Sequence, residues 1–354
     1  MKINFIVPEI SRTGGMRVIF EYANRLTERG HNVILYSPNI PFNSYKGMFK
    51  PYFIKYRFKY AVGKLFSNNK MPVNIFKKNF EIKNLWLINN LTVRDADATV
   101  ATSWTSSYAV NRLSESKGKK VYLIQDYEQW NSNTEYVDNS YSLPMKRITV
   151  SNYLQELLRE KFHSDSDVIL NGIDFGIFNN PDKKFNERKQ ILFMDHMLEN
   201  KNSEAAIETV KKLKTKYPML RIKCFAMRNY HSLPDYVEFV KDPDDKQIAD
   251  LYRESDIFLF PSLSEGFGLP PAEAMACKCA LVGNSVAAVP EFAENMVSAI
   301  LTSPENPEEL FKGAEYLLYN EEELNRISLA GYENVRRILN WDRAVDKFES
   351  FLKY

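Results

Sequence analysis

Cysteine is scarce in this chain: three residues among 354, at Cys224, Cys277 and Cys279. Three thiols make no disulfide framework, and Cys277-Lys278-Cys279 does not have the spacing of a zinc-ligand pair. They read as reduced core thiols of a cytoplasmic protein. Long apolar runs are missing as well. None reaches the ~18 residues that span a bilayer, and Ile3–Val7, cut off at Pro8, is too short for a signal-peptide core. Charge of one sign is also lacking. The 47 Lys and Arg against 45 Asp and Glu leave a net charge of +2, which gives no global field for nucleic acid. The G-x-G-x-x-G dinucleotide fingerprint is absent. What remains is an ordinary globular composition, 44% hydrophobic and 26% charged, on a chain too long for one core. That length predicts two domains.

Apolar segments alternate between short strands and amphipathic helices. Ile3–Val7 reads as a buried strand, followed by a loop with Gly14-Gly15 and a helix whose Val18, Ile19, Tyr22, Ala23 and Leu26 share one face. Gly30 ends that helix, and Asn32–Tyr36 is the next strand. Strands are expected over Ala98–Thr102, Lys120–Ile124, Arg147–Ser151, Gln190–Met194, Arg221–Ala226, Asp256–Pro261 and Ala280–Gly283. Helices are expected over Tyr108–Ser116, Asn152–Phe162, Glu204–Thr215, Asp244–Glu254, Glu305–Tyr319 and Glu321–Leu339. This alternation predicts parallel, doubly wound α/β sheets.

The most informative stretch is Ser262–Ala276. Glu265 and Glu273 stand eight positions apart, and the first opens a turn through Gly266 and Gly268 into an apolar helix beginning near Pro271. The preceding strand puts this turn at a strand's carboxyl end, where open α/β sheets bind ligands. The backbone N–H groups of Phe267, Gly268 and Leu269 then lie near the positive end of a helix. Such a site suits an anionic leaving group beside a polyol.

The segment resembles the E-x7-E signature of the retaining, nucleotide-sugar-dependent glycosyltransferases of family 4. The likeness extends over most of the chain, with a poorly matching insert near residues 40–90. The resemblance implies the GT-B fold: two Rossmann-like domains with doubly wound parallel sheets, facing across a cleft. Residues 1–170 would form the acceptor-side domain and 171–340 the nucleotide-sugar domain. The helix 341–354 would return to the first domain, with Trp341 and Phe348 packing there. By the same resemblance Glu265 lies at the donor sugar, and Glu273 hydrogen-bonds the donor ribose. The amides of Phe267, Gly268 and Leu269 contact sugar and phosphate, and the Gly14-Gly15 loop approaches the donor phosphate or the acceptor. Val289–Phe292 resembles the donor-side turn, with Ala287-Ala288 where relatives carry two glycines.

Two positions depart from the pattern. Relatives place an arginine and a lysine five residues apart after the first strand of the second domain, both gripping the diphosphate. Here Lys201 keeps the lysine, but His196 stands at the arginine. A neutral imidazole donates one hydrogen bond, whereas arginine offers a charged fork. Either His196 is protonated beside the phosphates, or another cation replaces the arginine. Many relatives also carry a histidine after the strand Lys120–Ile124, where this chain has Gln125 and Asp126. Gln125–Glu128 resembles a variant found in rhamnosyltransferases of bacterial surface polysaccharides. Asp126 is the candidate acceptor-side base, or else a loop cap.

The expected activity is therefore transfer of a hexose or deoxyhexose from a nucleoside-diphosphate sugar to a growing surface glycan or lipid-linked acceptor. A non-catalytic GT-B subunit binding glycan or protein and a nucleotide-sugar epimerase are the alternatives. No cofactor or metal is expected. Asp95-Ala96-Asp97 resembles a metal-binding D-x-D but precedes a strand and reads as a loop. Residues 44–84 hold ten Lys or Arg against one acid, Glu81, interleaved with aromatics. That mixture suits an anionic lipid surface, which would put a cytoplasmic protein peripherally on the inner face of the membrane. No nucleic-acid partner is expected.

Overall fold

The computed structural model describes residues 1–39, 42, 78–128, 134–185 and 187–354. The insert therefore lies outside the described residues up to position 77. The chain divides into two compact units: Met1–Leu170 with Asp342–Tyr354, and Asn171–Trp341.

The first unit is a parallel sheet of seven strands: β1 (Lys2–Ile6), β2 (Asn32–Pro38), β3 (Glu81–Leu85), β4 (Ala98–Ala101), β5 (Lys119–Ile124), β6 (Lys146–Thr149) and β7 (Asp167–Val168). Their order is β3-β2-β1-β4-β5-β6-β7, so the winding reverses between β1 and β4. Both of those central strands are almost wholly buried, as a doubly covered sheet requires. The helix Gly14–Glu28 follows β1. Its N-terminus is held by Thr13, whose Oγ1 accepts the Met16 amide at 3.3 Å. Its buried face carries Val18, Ile19, Tyr22, Ala23 and Leu26, as the periodicity demands.

The helix expected over Tyr108–Ser116 instead occupies Trp104–Asn111. Ser103 and Ser106 cap each other reciprocally and start it early. Trp104, at its first position, is buried in the core with Tyr122 and Tyr141. In the last helix, Trp341–Lys353, Phe348 packs on Tyr22 and Phe5 with ring centroids 4.5 and 6.2 Å apart. Trp341 belongs to the second unit. Its side chain covers Gly172, where an added Cβ would stand 2.4 Å from Trp341 Cγ, so it seals the second unit where the chain enters and leaves.

The second unit has six parallel strands: β8 (Gln190–Met194), β9 (Arg221–Ala226), β10 (Val237–Lys241), β11 (Ile257–Phe260), β12 (Ala280–Asn284) and β13 (Ile300–Thr302). Their order is β10-β9-β8-β11-β12-β13, with the winding reversing between β8 and β11. Ile191, Phe193, Leu259 and Val282 meet Val210 and Leu213 of the helix Ser203–Lys216 in its core. The edge strands β10 and β13 carry short, half-buried patterns that periodicity does not reveal. Among the described residues, no helix is long and apolar enough to cross a membrane.

Candidate functional site

The ends of β8 and β11 flank the point where the winding reverses, and the Glu265 turn lies there. After β11, Pro261 and Ser262 are clamped from behind. The buried Asn284 side chain donates to both their carbonyls, at 2.8 and 3.1 Å, and accepts from Thr302 Oγ1 at 2.8 Å. Ser262 Oγ in turn donates to Glu265 Oε1 at 3.0 Å. The turn closes at Gly268, whose φ of +89° is left-handed and natural to glycine. A Cβ there would also press Val289 Cγ2 at 3.2 Å and Pro271 Cγ at 3.3 Å. The helix then runs Leu269–Ala276, with proline in its first turn, where a missing N–H costs nothing. It starts two residues before the expected Pro271.

The N–H groups of Phe267, Gly268 and Leu269 make no hydrogen bond to a protein acceptor among the described residues. They add to the positive end of the helix, an arrangement suited to an anion. Glu273 sits one turn into that helix and is 3% exposed. Behind the turn, Phe267 packs on Phe292 at 5.6 Å between centroids. Ala287, at the first of the two positions where glycine was expected, adopts φ +49°. The glycine conformation is thus kept at an alanine, at a cost of about 1–2 kcal/mol.

Lys201 reaches this turn from the loop after β8. Its Nζ lies 2.8 Å from Glu265 Oε1, with side chains only 15% and 12% exposed. The two loops are also joined by the Leu263 amide, which donates to the Asn200 carbonyl at 2.7 Å. Two residues singled out from the sequence are thus in contact here, and that Lys201 and Glu265 neutralise each other was not foreseen.

His196 is held in the same loop in a defined state. Its Nδ1 accepts the Leu198 amide at 3.0 Å, which leaves the proton on Nε2. Burial, and then the charge of Lys201, lower its pKa below the ordinary value. In this arrangement the imidazole is neutral. Beside it, buried Asp195 accepts the amides of Tyr230 and His231 at 2.9 and 3.2 Å and His231 Nδ1 at 2.6 Å.

In the first unit, Gly14 and Gly15 open the helix Gly14–Glu28, and the Cα face of Gly15 lies against the Gln125 amide. Asp126 Oδ1 accepts the Tyr127 amide at 2.8 Å. Glu128, which sequence reasoning passed over, is the more perturbed carboxyl. It accepts the Trp104 amide at 2.9 Å, and burial pushes its pKa up to about 8. The D-x-D carboxylates serve structure: Asp95 pairs with Lys117 Nζ at 2.7 Å and Asp97 accepts the Lys2 amide at 2.6 Å.

The model of the family "Glycosyl transferases group 1" matches residues 177–334. Residues 177–334 are thus similar to group 1 glycosyl transferases. That span contains Asp195, His196, Lys201, Glu265, Gly268, Glu273 and Asn284. An uncharacterized glycosyltransferase of Methanocaldococcus jannaschii is 25% identical over 208 residues, 56% of this chain and 57% of that protein. One from Haemophilus influenzae is 24% identical over 376 residues, 98% of this chain and 97% of its own length. Among solved structures, Anabaena Alr3699/HepE in complex with UDP and glucose superposes with a TM-score of 0.74 at 15% identity, over 100% of this chain and 99% of that one. This likeness shows that the chain shares the GT-B fold. The matched span thus lies on the scaffold the signature implied.

Proposed function

We propose that the chain is a retaining glycosyltransferase that moves a sugar from a nucleoside-diphosphate donor to a surface glycan or lipid-linked acceptor. The observation that carries this reading is the Lys201–Glu265 contact beside three amides without acceptors, inside a group 1 transferase domain. HepE, similar in fold, is described with UDP and glucose. In the proposed reaction the bond between the anomeric carbon and the diphosphate oxygen breaks, and its electron pair stays on the phosphate. The amides of Phe267, Gly268 and Leu269 and the ammonium of Lys201 stabilise that charge without calling on a metal. Glu273 holds the ribose, and Glu265 steadies positive charge on the sugar. The acceptor oxygen bonds the same carbon from the departing face, and Asp126 receives its proton.

Thermal shift against UDP-, GDP- and dTDP-linked sugars, followed by assay of nucleoside-diphosphate release, tests this reading. One donor class should raise the melting temperature and be consumed. Stabilisation without release would indicate a non-catalytic subunit, and no stabilisation by any donor would end the proposal.

We also assign the first unit an anionic membrane surface as partner. After β3, Trp86, Leu87 and Leu91 are 46%, 57% and 95% exposed, next to the strongly basic segment in sequence. Exposed apolar side chains beside basic residues fit an anionic interface. The protein should float with phosphatidylglycerol-containing vesicles and much less with neutral ones. Replacing Trp86, Leu87 and Leu91 by serine should reduce flotation, and identical flotation would remove the assignment.

A further inference from the structure

The donor site proposed above is one cation short. His196 is neutral and its Nδ1 is occupied, which leaves Lys201 alone against a diphosphate and already shared with Glu265. The neighbouring strand supplies a candidate. β9 pairs with β8 in parallel, Met194 facing Phe225, so both strands deliver their following loops to the same edge of the sheet. Arg228, two residues beyond β9, is exposed and makes no ion pair among the described residues. Its guanidinium carbon lies 5.2 Å from the centre of the Tyr230 ring, and that ring lies 6.2 Å from the ring of His196.

This arrangement is fixed rather than incidental. The Tyr230 and His231 amides and the His231 ring are all tied to buried Asp195, the residue directly before His196. The buried carboxylate therefore pins the β9 loop to the β8 loop, and the Tyr230 ring contacts both the guanidinium and the imidazole. Stacking on a ring restricts the side chain before any ligand arrives, which lowers the cost of ordering it on binding.

We propose that Arg228 is the second diphosphate-binding cation, doing from the β9 loop what an arginine at position 196 would have done from the β8 loop. This rests on the reading of the domain as a nucleoside-diphosphate-sugar site. A guanidinium forks onto two phosphate oxygens, which an imidazole cannot do.

Calorimetry on the full chain tests it, using inorganic pyrophosphate and whichever of UDP, GDP or dTDP the wild type binds, with the matching nucleoside. Arg228→Ala should weaken pyrophosphate and nucleoside diphosphate roughly 10- to 100-fold while leaving the nucleoside unchanged. Arg228→Lys should recover part of the loss, and both variants should melt with the wild type because the side chain is exposed. Unchanged diphosphate affinity in Arg228→Ala would overturn the inference and leave the donor site standing, as would an equal loss for the nucleoside. A wild type that binds no diphosphate would overturn both.

Discussion

Glu265→Ala is expected to release nucleoside diphosphate roughly 10²- to 10³-fold more slowly than the wild type, while binding the free nucleotide at least as tightly. The two effects have opposite directions for one reason. The Glu265 carboxylate takes Lys201 Nζ at 2.8 Å and Ser262 Oγ at 3.0 Å. A bound diphosphate competes with that carboxylate for the ammonium. Removing Glu265 frees Lys201 for the phosphates and at the same time removes the negative group assigned to the sugar's developing positive charge. Glu265→Gln should keep the Ser262 contact and fall between the two. Steady-state release assays beside calorimetry read the split directly. Unchanged turnover would refute the assignment, and a parallel loss of nucleotide binding would show that Glu265 only holds the turn.

The second large effect concerns stability and pH. Glu128 titrates up at about 8 against an ordinary 4.5, mainly because burial disfavours its charged form. The folded unit therefore keeps this proton at pH values where the unfolded chain has lost it. Stability from this group is fully present below about pH 4.5 and is lost as pH rises through about 8. The swing is on the order of 2–4 kcal/mol, discounted because the residue is only half-buried. Glu128→Gln still accepts the Trp104 amide and has no proton to lose. Denaturant unfolding at pH 6 and pH 9 should show the glutamine variant gaining on the wild type at the higher pH. Parallel pH dependence of the two proteins would exclude Glu128 as the source.

Much of this molecule is legible in its residues. The strand before Glu265, the glycine turn and the helix behind it depend on local φ preferences and on proline's tolerance of a helix start, so Gly268, Pro270 and Pro271 announce them. Elements decided by packing were harder to see. The helix Thr134–Tyr141 has only Val137, Ser140 and Tyr141 buried, and β7 is two residues long. Trp341 looked like the first residue of the returning helix, and it is, yet its ring lies against Gly172 within the second unit. Hydrophobic periodicity reports that a side chain is buried without naming its partner.

The residues alone pointed to parallel α/β sheets, through the alternation of strand and helix patterns, and put the glutamates at 265 and 273 on one turn and helix; Lys201 became a phosphate-ligand candidate through the family resemblance. Pattern and local turn chemistry carry the first two. The charge balance of the site came from the fold. Lys201 meets Glu265 across 64 positions, and Tyr230 meets His196 across 34, because the sheet sets β8 between β9 and β11. Strand order brings remote loops to one edge, and only that neighbourhood sets Lys201 against Glu265 and links Arg228, through the Tyr230 ring, to the imidazole that stands where an arginine was expected.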